Sequence, residues 1–215
     1  MSTAPPIGGI VGRSRPGGTE ARDHLRLAGW TVLIGPTTVL AHEVAHWIVG
    51  LALGYDVTLG AASVTGGPRL GISPGHHVAL QAGAGPTVSA ALTLFAIMRL
   101  QRTRTAGWAL ALAALAPLRF LVALAALVTD MVVAVVGGTR GWPNFDEANL
   151  AAALGLPGPP LFIAVTALLF WAWHRVWTHL PGRRWPSLAV LITAAAFGLI
   201  LWLLFLGPIV VALFN

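Results

Sequence analysis

Cysteine is absent from this chain of 215 residues, and so is lysine: all 13 basic residues are arginine. Without cysteine there are no disulfides and no thiolate metal sites, and cysteine usage says nothing of redox compartment. Charge is scarce as well, with 9% of residues charged against 56% hydrophobic. Soluble domains carry about 25% charged residues, so the composition excludes an ordinary soluble domain and points to an integral membrane protein in contact with the lipid bilayer. The net charge of +6 gives no case for nucleic-acid binding. Many of the arginines lie in short polar gaps between apolar runs, where they read as topology signals and lipid head-group contacts. Abundant Ala, Arg and Gly without Lys point to a GC-rich bacterial genome, hence a bacterial cell membrane.

What remains is a series of long apolar runs. Residues 1–26 are rich in Gly, Pro and Arg and are expected to form a disordered tail, not a signal peptide. The first span is predicted from about Gly29 to Gly54, since about 20 apolar residues cross a bilayer. Tyr55 to His77 alternates in short stretches and contains Gly66-Gly67-Pro68. It reads as a β-hairpin turning at that tripeptide, or as an irregular re-entrant loop. A second span is expected over Val78–Leu100, with Pro86 kinking the helix or starting a new one. The third run, Ala106–Val136, exceeds one untilted crossing and is expected to kink at Pro117. A short helix from Asp146 to Leu154 ends at Gly155. A fourth span follows over Pro160–Trp177 and a fifth over Leu188–Phe214. The fold class expected is an all-α polytopic membrane protein of about five transmembrane helices around a three-helix core. Residues 1–26 form its tail, 27–157 its core and 158–215 its C-terminal helices. Arginine counting puts the N-terminus in the cytoplasm.

Inside the first run stands His42-Glu43-Val44-Ala45-His46. Two histidines four apart project from one face of a helix, so both imidazoles can reach one ion. The adjacent glutamate lies near enough to act on a water at that ion. Such a cluster in hydrocarbon is expensive unless paired or metal-bound, which favours function over chance. Catalytic zinc takes three protein ligands, so a third must come from elsewhere. Of seven acidic residues, Glu20 and Asp23 fall in the tail and Asp56 just beyond the first span, leaving Asp146, Asp130 and Glu147. His46 lies near the exit of the first span, and two further crossings bring Asp146 back to that side. Asp130, two turns inside the third run, is near that side too. Asp146 alternatively serves as a helix start favoured by the dipole, and Asp130 as a partner for the intramembrane Arg119. His76 and His77 read as interfacial or loop residues. His174 and His179, beside Trp171, Trp173 and Trp177, read as an interfacial belt.

The stretch from His42-Glu43-Val44-Ala45-His46-Trp47-Ile48-Val49-Gly50 to Leu53-Gly54-Tyr55-Asp56-Val57 resembles the site-2 protease family of intramembrane zinc metallopeptidases. Ala82-Gly83-Ala84-Gly85-Pro86 resembles the Gly-Pro of that family's second core helix. Asn144-Phe145-Asp146-Glu147-Ala148-Asn149 resembles the region supplying its third zinc ligand. The likeness runs from about Trp30 to Pro157; the family's usual Asn-x-x-Pro…Leu-Asp-Gly pattern is absent. The resemblance implies an intramembrane zinc endopeptidase acting on membrane-anchored protein substrates through a zinc-activated water. In it His42, His46 and Asp146 would bind Zn2+ and Glu43 would be general base. It further implies substrate contacts at Asn144, Gly85 and Pro86, and a hairpin edge that receives an unwound substrate. Two alternatives stand beside it. One is a non-catalytic membrane protein retaining a structural or transport metal site. The other is a membrane metallopeptidase of the prenyl-protein type, with Glu147 as third ligand.

Overall fold

The computed structural model describes residues 17–68, 74–103, 107–136 and 145–214. It is mostly helical, and five of its helical stretches are long and apolar enough to cross a membrane.

The motif rides on α1 (Gly17–Ala52), a helix of 36 residues. At about 1.5 Å per residue it is longer than a hydrocarbon core of about 30 Å requires. The helix begins well before the span expected from Gly29, so residues 17–26 are not a disordered tail. The Gly, Pro and Arg of the first 16 residues dominate that segment's composition, but Glu20–Leu27 is built of good helix formers. It also has tertiary partners: Leu27 is buried, Glu20 accepts from the Arg183 amide, and the His24 ring bonds to Ser187 at 2.9 Å.

The segment after α1 is a hairpin of β1 (Tyr55–Leu59) and β2 (Val64–Pro68), paired antiparallel with Val57 opposite Gly66. Its turn lies at 60–63, not at Gly66-Gly67-Pro68, which belongs to β2. The physical reason is visible at Gly66. Its φ is +112°, and a Cβ there would collide with the Asp56 carbonyl. The glycine therefore serves close strand approach within the pair. Tyr55, Val57 and Leu59 point inward while Asp56 and Thr58 face out. Gly50 lets the hairpin close on α1, since a Cβ would meet Val57 at 2.9 Å.

Helix α2 (Gly75–Arg102) returns antiparallel to α1 and continues through Pro86. The third run is broken by its proline, as expected, into α3 (Gly107–Leu115), a 3₁₀ turn (Ala116–Phe120) and α4 (Leu121–Val136). The short helix α5 (Asp146–Ala153) ends before Gly155, whose φ is +65°. Two more long stretches complete the fold. The first is α6 (Gly158–His179). The second comprises α7 (Arg184–Leu201), a π-helical turn (Trp202–Leu206) and α8 (Gly207–Phe214). Trp202 Nε1 donates to the Ala61 carbonyl at 2.7 Å, tying this last stretch to the hairpin turn.

The main core joins α1, α2, α3, α6 and α7 through Leu27, Ile97, Leu110, Val176, Leu191 and many alanines. Small side chains let helix backbones approach closely where lipid supplies no hydrophobic drive to associate. Gly198 is the extreme case, since a Cβ there would stand 2.8 Å from the Val32 carbonyl oxygen. A second, smaller core around Ala123, Ala126 and Phe162 seats α4 on α6.

Candidate metal centre

His42 and His46 sit one turn apart on α1, both buried, with ring centroids 4.9 Å apart. Each ring is oriented from behind by α2. His46 Nδ1 donates to the Gln81 carbonyl at 2.6 Å. Because that oxygen can only accept, Nδ1 carries a proton, and in the neutral ring His46 Nε2 presents a lone pair. His42 Nδ1 meets Ser89 Oγ at 2.9 Å, a contact that orients the second ring. Partners of this kind hold metal-ligating imidazoles in place.

Asp146 comes from α5, which opens after Phe145 in extended conformation. Its Oδ2 lies 2.9 Å from His42 Nε2 and 3.2 Å from His46 Nε2, and the two nitrogens are 3.2 Å apart. Ligand atoms about 2.0–2.2 Å from a tetrahedral zinc stand about 3.3–3.6 Å apart, slightly wider than this triangle. Among the described residues, His42, His46 and Asp146 form the one group of His and acidic side chains with metal-ligand spacing. Burial alone would raise the Asp146 carboxyl, but His42 and His46, when their rings are protonated, hold it well below the usual carboxylate range. It is therefore an anion at neutral pH.

Two observations test whether a cation fits. First, lone-pair-bearing atoms converge within 3.2 Å, and their mutual repulsion is relieved by a positive charge among them. Second, the backbone of α2 lies against the ligand atoms at Gly85. A Cβ there would stand 2.3 Å from His46 Nε2 and 2.5 Å from His42 Nε2, so glycine keeps the space open. The donor set of two imidazoles and one carboxylate suits a first-row divalent ion such as zinc.

Glu43 is buried beside His42. Its Oε1 lies 2.9 Å from Arg119 Nη2, an ionic contact whose angles fall outside hydrogen-bond geometry. The same Arg119 nitrogen stands 4.0 Å from Asp146 Oδ2. The arginine is carried on the 3₁₀ turn that Pro117 opens. Glu147, next to Asp146, points into the interior instead of joining the ligand group; burial, reinforced by the neighbouring Asp146 charge, pushes its carboxyl up to about 7.

The expected site residues thus divide. His42, His46 and Asp146 come together with Glu43 beside them, and Gly85 lies against both ligand imidazoles, followed by buried Pro86. Asp130 on α4 is not in the group, and neither is Glu147. Asn144 lies outside the described residues. His76, His77, His174 and His179 are not in the cluster; His77 lies against Tyr55 instead. Sequence reasoning missed Ser89 and Gln81 as orienting partners. It also considered Arg119 only as a partner for Asp130. The signal for Arg119 was its charge in the middle of an apolar run, where a charge needs a counter-ion. Comparison with family models, with curated proteins and with solved structures finds no match for this chain.

Proposed function

We propose that this chain is an intramembrane zinc endopeptidase that hydrolyses peptide bonds of membrane-anchored proteins. One observation carries the reading. Three protein ligand atoms converge within 3.2 Å, and an unliganded glutamate stands next to one of them on the same helix. Structural zinc sites use four protein ligands, whereas three ligands with a neighbouring base suit hydrolysis.

Zinc held by His42, His46 and Asp146 would acidify a water and polarise the scissile carbonyl. The rest of the chemistry falls to the chain's own residues. Glu43 accepts a proton from the attacking water, whose oxygen bonds to the carbonyl carbon as the C=O electron pair moves onto oxygen. When that oxyanion collapses and the C–N bond breaks, Glu43 returns its proton to the departing nitrogen. Water and peptide go in, and a carboxylic acid and an amine come out. Gln81 holds His46 in the tautomer this requires, and Ser89 orients the His42 ring. A peptide bond inside a helix is shielded by its i to i−4 hydrogen bonds, so the substrate must unwind locally. Among the described residues the hairpin is a two-stranded sheet, and a strand edge is the kind of partner that unwound backbone would pair with.

The reading is tested in proteoliposomes holding the purified chain and a panel of single-span membrane proteins. Cleavage within a span is expected to stop with 1,10-phenanthroline and to return on adding zinc. Cleavage indifferent to the chelator would refute a metal mechanism. A zinc-loaded chain that cuts no member of the panel would favour the non-catalytic alternative.

A further inference from the structure

An arginine at mid-span is costly unless it has a task and a partner. Arg119 has two carboxylate partners among the described residues, and both belong to the metal centre. Its Nη2 is 2.9 Å from Glu43 Oε1 and 4.0 Å from Asp146 Oδ2. Its side chain is 36% exposed, whereas that of Glu43 is 2% exposed. The side chain therefore reaches the base and Asp146 while about a third of its surface stays accessible. The 3₁₀ turn at Ala116–Phe120 holds it there, with Ala116, Pro117 and Phe120 buried as its anchor.

We propose that Arg119 is a catalytic residue: seated between Glu43 and Asp146, its guanidinium stabilises the oxyanion that forms on the substrate carbonyl. The proposal rests on the hydrolase reading above and extends it. In the attack step the water proton passes to Glu43, and the carbonyl π pair moves onto oxygen. Negative charge thereby leaves the Glu43 carboxylate and appears on the substrate. Neutralised Glu43 loosens its hold on Arg119 at the moment when a new anion needs a cation. The guanidinium carries five N–H donors and stays charged throughout. A fixed donor aimed at developing charge in a site poor in water is worth about 100- to 1000-fold in rate.

The test reads binding, so that it does not depend on turnover. A phosphinic pseudopeptide, apolar on both sides, mimics the tetrahedral anion. The same peptide with an N-methylated scissile amide mimics the uncharged ground state. Their affinities are measured by calorimetry for zinc-loaded wild type, Arg119→Gln and Arg119→Lys, each first checked for wild-type zinc content and thermal midpoint. The expected result is a loss of about 100-fold or more in phosphinic-peptide affinity for Arg119→Gln. Arg119→Lys should lose less, and binding of the amide should change by less than about threefold. Equal losses for both ligands, or an undiminished phosphinic affinity, would overturn the role of Arg119 and leave the hydrolase reading intact. Should Arg119→Gln fail to load zinc, Arg119→Lys decides: a selective phosphinic loss supports the role, and none overturns it. A zinc-loaded wild type that binds the amide but not the phosphinic peptide would sink the hydrolase reading and this proposal together.

Discussion

Gly85→Ala is expected to abolish metal binding although it adds a single methyl group. The new Cβ would stand 2.3 Å from His46 Nε2 and 2.5 Å from His42 Nε2, where ordinary contacts are 3.4–4 Å. Neither imidazole can yield easily. His46 is fixed from behind by the Gln81 carbonyl and His42 by Ser89, both on α2 with Gly85 itself. The helix would have to retreat by about 1 Å, or the rings would have to leave their bonds to Gln81 and Ser89. Loss of an outer partner alone costs about 10- to 100-fold in metal affinity, and displacement of two ligands costs more. A helix gains about 1 kcal/mol of intrinsic preference from Gly to Ala, so the fold has no local reason to fail. Gly83→Ala is the matched control, because its Cβ would meet only the Leu150 side chain at 3.5 Å. Equilibrium dialysis against zinc should separate the two variants, and a Gly85→Ala chain that binds zinc as wild type does would contradict the geometry.

Glu43→Gln is expected to eliminate peptide cleavage while leaving metal content unchanged. Glutamine keeps the size of the side chain but cannot accept and return a proton. The general-base contribution is about 100- to 10 000-fold. Glu43 is not among the three ligand residues, so zinc should remain. The substitution also removes the ion-pair partner that holds Arg119 at 2.9 Å, leaving Asp146 at 4.0 Å as its remaining anion among the described residues. Cleavage in proteoliposomes and zinc analysis on the same preparation check both halves. A Glu43→Gln chain that cuts at the wild-type rate would end the general-base assignment.

The grouping of His42, His46 and Asp146 was legible because its geometry is local or follows from parity. Two histidines four apart on a helix share a face whatever surrounds them. Counting crossings returned Asp146 to the side where His46 leaves the first span, and the short helix that presents it showed both its acidic start and its Gly155 stop. Counting did not decide between Asp146 and Asp130, which lies near the same side. The structure separates them, because α5 packs on α2 beside the histidines while Asp130 lies along α4. Other features were hidden because they depend on contacts made far along the chain. Arg119 meets Glu43 only after α1, the hairpin, α2 and α3 have packed. The turn of the hairpin was misplaced because glycine and proline mark turns statistically, whereas Gly66 is needed for its approach to Asp56. The start of α1 was missed because the average composition of 26 residues concealed the helix-forming stretch that docks on the α6–α7 connection through Glu20 and on α7 through His24.

The measurement closest to the central claim is the zinc content of detergent-purified protein, prepared without chelators, for wild type, Asp146→Ala and Asp130→Ala. The account predicts about one zinc per chain in wild type and in Asp130→Ala, and none in Asp146→Ala. Zinc retained by Asp146→Ala, or a wild-type chain that holds none, would contradict a centre built from His42, His46 and Asp146.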